Sequence, residues 1–187
     1  SGLLLWSARY ENAEKPSAII LDNEANIIIT GKTHGNGSTE NYITLKYSHS
    51  GVLLWDRIYN GTAGSGDESF SIATDTAGSI YVTGRSMGLN SGYDCVTIKY
   101  SSSGSEQWIQ RFNGSGNLYD EGQRLDLDES GNVYVTGKTV SNGMNYDFLT
   151  IKYSPDGKLL WVKTYNSGAN NYDESLFILE GKTGIYI

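Results

Sequence analysis

A chain of 187 residues that is 38% hydrophobic, with 14 Tyr, 4 Trp, 23 Gly and only 2 Pro, can bury one sizeable core or two small ones, and favours strands joined by glycine turns over disorder. A net charge of −7 argues against nucleic acid, which is bound through Lys and Arg contacts to phosphate, and against an anionic membrane surface. No apolar run approaches the ~20 residues of a membrane-spanning helix. The single cysteine, Cys95, excludes an intramolecular disulfide and a cysteine-based zinc site.

The first apolar run is "SGLLLW", ending at Trp6, which predicts a strand within residues 1–10, around Leu3 to Tyr10. Four short runs follow: "EKPSAIILD" from Glu14, "NIIITGKT" from Asn26, "NYITLKYS" from Asn41 and "SHSGVLLW" ending at Trp55. The same four outlines return as "DESFSIATD" from Asp67, "SIYVTGRS" from Ser79, "YDCVTIKYS" from Tyr93 and "SSSGSEQW" ending at Trp108. They return again as "DEGQRLDLD" from Asp120, "NVYVTGKT" from Asn132, "YDFLTIKYS" from Tyr146 and "SPDGKLLW" ending at Trp161. A last copy begins with "DESLFILE" at Asp173 and reaches "GIYI". The tryptophans stand 49, 53 and 53 residues apart.

Each run is β-branched or aromatic, bounded by Gly, Asn, Asp or Ser, and none has helical periodicity, so each predicts a strand. The links "DNEAN", "DTAGS", "DESGN" and "SPDGK" have the length and chemistry of tight hairpins. One unit is therefore a four-stranded antiparallel meander of about 50 residues. Such a meander cannot bury both faces alone, and radial packing against its neighbours, the β-propeller arrangement, solves this. The one tryptophan of each unit is expected to fill the gap between blades. The expected organisation is one all-β domain over residues 1–187: a spare outer strand at 1–10, blades over about 13–59, 66–112 and 119–165, and a partial blade at 173–187. That is 15 strands, which fits either a four-bladed ring or a segment of a larger propeller.

The combination "DESGNVYVTGKT", "YDFLTIKYSPDGKLLW" and "YNGTAGSGDES" resembles the seven-bladed β-propeller repeat family abbreviated SBBP, over essentially the whole chain. The resemblance implies that the acidic phrase opens the innermost strand and the Trp strand lies outermost. It also implies a setting in bacterial surface or secreted proteins, with no single activity. The excess of Asn, Ser, Thr, Gly and Tyr over Lys and Glu leans the same way, towards an extracellular, cell-surface or periplasmic protein. The phrase "SPDGKLLW" also resembles the Asp-box of sialidases, where it is a structural hairpin.

Alternation places the long links on one face, where binding concentrates on a rigid scaffold. Its candidate ligand-binding residues are Asn117, Tyr119, Asn170, Asn171 and Tyr172, because "GSGNLYDEG" and "SGANNYDES" differ from "GTAGSGDES"; Tyr93 and Tyr146 repeat in register. The pairs Asp67/Glu68, Asp120/Glu121 and Asp173/Glu174 recur with the blades, so they are expected to accept bonds from adjacent loops more than to ring a cation. "DLDESGN" from Asp126 starts like a calcium loop, but Gly137 stands where the twelfth-position Glu belongs, so it is expected to be a hairpin turn. His34 and His49 sit in no catalytic phrase, and Asn36, Asn60 and Asn113 open glycosylation-type triplets that are equally turns. The expectation is a non-enzymatic structural or protein-interaction propeller without cofactor, catalytic residue or metal. Its partner would be a protein or a surface glycan, with a second copy or the remainder of a larger propeller completing it. A lectin-like propeller is the alternative and a glycoside hydrolase the third reading.

Overall fold

The computed structural model describes residues 2–11, 13–34, 39–64, 66–141, 145–168, 173, 178–181 and 184–186. Twelve strands form three four-stranded antiparallel sheets. The first holds β1 (Ala13–Leu21), β2 (Ile27–His34), β3 (Glu40–Tyr47) and β4 (Leu53–Tyr59). The second holds β5 (Glu68–Thr74), β6 (Ile80–Met87), β7 (Tyr93–Tyr100) and β8 (Glu106–Phe112). The third holds β9 (Asp120–Leu127), β10 (Val133–Thr139), β11 (Asp147–Tyr153) and β12 (Leu159–Tyr165). Each sheet is ordered as a meander, and a hairpin of β13 (Leu179–Gly181) with β14 (Gly184–Tyr186) follows. The described residues thus make three blades and a hairpin, not a closed ring and not seven blades. Residues 2–10 carry no strand pairing among the described residues, in contrast to the expected outer strand there; they lie over the first sheet through side chains, Tyr10 packing on Ile43, Leu45 and Tyr47, without a strand edge beside them to pair with.

The first strand of each blade lies innermost: β5 packs on β9, and β1 and β2 pack on β5. The core is made of seams between consecutive blades. Ile28 and Tyr42 of the first sheet pack against Ile72, Ile80, Val82, Val96, Ile98 and Tyr100 of the second. Tyr81 and Cys95 of the second pack in turn against Leu125, Val133, Val135, Leu149 and Ile151 of the third. Most of these are β-branched or aromatic, and they alternate along their strands, so period-2 patterning feeds both faces of each sheet.

Two devices recur. Each first strand carries an extra residue at the same repeat position, Ser17, Phe70 or Gln123, and this bulge brings the backbone close to the "TG" of the second strand. A Cβ on Gly31, Gly84 or Gly137 would overlap the carbonyl of Lys15, Glu68 or Glu121, which is why that position is glycine in all three blades.

The second device answers why the Trp phrase repeats. Each fourth strand bulges at the residue before its tryptophan, which turns the indole towards the next blade. Trp55 lies on Gly104 and donates Nε1–H to the Ser102 carbonyl at 3.1 Å; Trp108 lies on Gly157 and donates to the Pro155 carbonyl at 3.1 Å. Those glycines have φ of 81° and 84°, and a Cβ on either would stand 2.8 Å from the ring. The tryptophan therefore lies between consecutive blades, as expected from the sequence, Trp55 against Tyr100 at 6.3 Å and Trp108 against Tyr153 at 6.2 Å, and it also caps the following blade's outer hairpin. Trp6 does the same to Gly51, its indole donating to the His49 carbonyl at 3.0 Å, although its segment forms no strand.

Candidate functional site

The links β2–β3, β6–β7 and β10–β11 share one face with the inter-blade loops. Asp67 N–H bonds to the Glu40 carbonyl at 2.8 Å, Gly92 N–H to the Asn117 carbonyl at 3.2 Å, and Asp173 N–H to the Tyr146 carbonyl at 3.0 Å. The aspartate opening each inner strand lies beneath this layer. Asp67 accepts Gly61 N–H at 2.7 Å, Asp120 accepts Gly114 N–H at 2.7 Å, and Asp173 accepts Ser167 N–H at 2.8 Å. Asp67 and Asp120 are fully buried, and burial pushes both carboxyl groups above their ordinary range against the hydrogen bonds that oppose it. They fasten loops to blades, as their recurrence implied. Glu174 lies outside the described residues.

The glutamates that follow join a charged seam along the inner rim. Lys15 meets Glu68 at 3.1 Å, Glu68 meets Arg85 at 3.0 Å, Arg85 meets Glu121 at 3.6 Å, and Glu121 meets Lys138 at 3.1 Å. Cations and acids alternate from blade to blade, so each carboxylate is held between two positive groups. Three tyrosines stack edge to face beside it: Tyr93 with Tyr119 at 5.4 Å and Tyr119 with Tyr146 at 5.3 Å. Arg85 lies 4.6 Å over the Tyr93 ring and Lys138 lies 4.6 Å over the Tyr146 ring.

Tyr119 is half-buried at the centre of this ladder. Its hydroxyl donates to Glu121 at 2.6 Å and accepts from Arg85, and burial, with the Glu121 bond behind it, raises its pKa. Both its ring and its hydroxyl are engaged within the protein. Asn117 is exposed, sits at φ 50° in the turn that Gly114 opens, and accepts from the Asn113 side chain at 2.7 Å. The structure thus brings Asn117 and Tyr119 onto one loop, but only Asn117 faces solvent. Asn170, Asn171 and Tyr172 lie outside the described residues, as does Asn36; Asn60 and Asn113 are exposed.

Sequence reasoning passed over Arg85 and Lys138, although their recurrence at the position of Lys32 was a readable signal. It also passed over a cluster that does not repeat. Arg111 donates to Asp94 at 2.6 Å, to the Ser86 hydroxyl at 2.6 Å and to the Tyr59 hydroxyl at 3.2 Å, clamping the second blade to the first. The equivalent outer-strand positions are Ile58 and Thr164, so an isolated Arg there was the available clue.

On the opposite face the hairpin aspartates act as turn acceptors. Asp128 takes Ser130 N–H at 3.0 Å and Asn132 N–H at 2.8 Å, which makes "DLDESGN" a turn. Asp22 does the same with Glu24 and Asn26 and pairs with Lys46 at 2.9 Å. A cleft of about 470 Å³ lies beside Asp22, Lys46, Trp55 and Ser102, but Lys46 and Trp55 both donate to the Ser102 carbonyl. His34 faces Glu14 at 3.4 Å and His49 lies in an outer hairpin. Among the described residues no group of three His, Cys, Asp or Glu converges to hold a metal ion.

Sheets of this order, packed seam to seam with the first strand innermost, define a propeller-type repeat module. In agreement, a family model described as beta-propeller repeat, SBBP, matches residues 107–143, from β8 across the second seam to the link after β10. No curated protein matches the chain.

Proposed function

We propose that the chain is a non-enzymatic structural or protein-interaction module of a secreted or cell-surface protein, extracellular or periplasmic, and of bacterial type. The observation that carries this reading is the use of the polar groups on the long-loop face. Arg85 of the second blade is bonded to Tyr119 and Glu121 at the third, and Glu68 of the second to Lys15 of the first, which supports a role in holding blades together. The carboxylates of this face recur with the repeat, Asp67 and Glu68 as Asp120 and Glu121, instead of forming a unique constellation, so a glycosidase is the third reading.

A lectin-like role is the second reading, supported by exposed Asn113, Asn117 and Leu118 on one turn. A glycan array distinguishes the two. The module reading expects no saturable binding at any dose. Saturable binding that is lost in Asn117→Ala while the melting curve stays unchanged would overturn it in favour of the lectin.

A further inference from the structure

The two sides of the first sheet are not equivalent. Its trailing side is sealed by the second blade, but its leading side has no blade against it among the described residues. The internal repeat shows what belongs there. Ile19 occupies the position of Ile72 and Leu125; it is 65% exposed, whereas they are each 6% exposed. Ile27 and Ile29 occupy the positions of Ile80 and Val82 and of Val133 and Val135, all of which are buried under the preceding sheet. On the first sheet these residues, with Ile43, Leu45 and Tyr47, line an apolar groove of about 380 Å³ roofed in part by Trp6 and Tyr10.

We propose that this leading face is a docking surface for the trailing side of a second copy of the chain. The proposal rests on the interaction-module reading and names its partner. The surface continues an interface that the chain already makes twice, at the seams after the first and second sheets, so the occupant with matching shape is a blade of this same repeat. Trp6 already caps Gly51 as Trp55 and Trp108 cap the later hairpins, so the outer part of this seam is in place and the gap lies beneath it.

Lys15 stands at the repeat position of Glu68 and Glu121, meets Glu68 across the seam at 3.1 Å, and remains 62% exposed. The contact between copies is head to tail, with a different patch on each copy, so it propagates from copy to copy until it closes on itself.

Sedimentation equilibrium of the whole chain, from ~1 to ~300 µM, tests this. The wild type is expected to show a mass that rises with concentration to at least twice 20.5 kDa. Ile19→Lys, an exposed site that the monomer tolerates, is expected to sediment as the monomer throughout, while Leu89→Lys, equally exposed but on the β6–β7 loop, associates like the wild type. A wild type that stays at 20.5 kDa at every concentration, or an assembly that survives Ile19→Lys, would overturn the proposal. Neither result touches the module reading, which only the glycan array addresses.

Discussion

Replacing Trp108 and Trp161 separately by Ala measures what a tryptophan gains from the next blade. The Trp108 ring is half-buried, lies on Gly157, and meets Tyr81 at 6.0 Å and Tyr153 at 6.2 Å. Burying roughly 100 Å² of an indole that offers ~150 to 250 Å² contributes ~2.5 kcal/mol. The hydrogen bond to Pro155 adds ~1 kcal/mol. Trp108→Ala is thus expected to cost ~3 to 4 kcal/mol. Trp161 is 36% exposed and its described ring contact is Tyr134 at 6.0 Å, so Trp161→Ala is expected to cost only ~1 to 2 kcal/mol. Urea unfolding followed by far-ultraviolet circular dichroism, which does not depend on the tryptophans lost, gives both values. Losses equal within ~0.5 kcal/mol would refute the idea that the indole acts by seating on the following hairpin.

Gly137→Ala forces the third blade off its own inner strand and is expected to cost ~3 kcal/mol or more. Gly64→Ala, at φ 67° but in open space, should cost only ~1 kcal/mol, and parallel melting curves check the ranking. Burial alone would raise Asp22, but bonds from Lys46, Asn26 and Glu24 outweigh it and hold its carboxyl below the ordinary value. Its stabilisation is then present above the unfolded pKa of ~3.9 and lost as pH falls through the lower folded value; Asp22→Asn should flatten the urea midpoint between pH 5 and pH 2.5. Asp67 and Asp120 act in the opposite sense, since raised folded values favour the protein at low pH and lose that contribution as pH rises through them. The Cys95 thiol is fully buried and pushed up to about 12 by burial; iodoacetamide should label it only in denaturant, and rapid native labelling would contradict the packing of the second seam.

The strands and their order were legible because a 53-residue step repeats β-branched runs and tight turns, and turn chemistry is local. The seams were legible only in part. That the tryptophan caps a hairpin depends on a bulge one residue before it, and a bulge is a register relation between strands that no single strand displays. The same holds for the "TG" glycine, whose need arises from the bulged neighbour. The run "SGLLLW" has strand propensity, yet Leu3, Leu4 and Leu5 are exposed and unpaired, since pairing needs a partner edge that propensity cannot supply. Tyr119 looked like a ligand residue because its loop was unusual; its position between Arg85 and Lys138 depends on neighbouring blades. The recurrence of Asp67 and Asp120 was the better guide, since repeated carboxylates proved to be loop fasteners.

The stacking of blades through their outer hairpins is tested most directly by nuclear Overhauser contacts of the indole rings. The account predicts cross-peaks from Trp108 to the Gly157 α-protons and from Trp55 to those of Gly104, with both glycines shifted upfield by the ring above them. Cross-peaks confined to each tryptophan's own hairpin, Trp108 with Gly104 and Trp55 with Gly51, would contradict it.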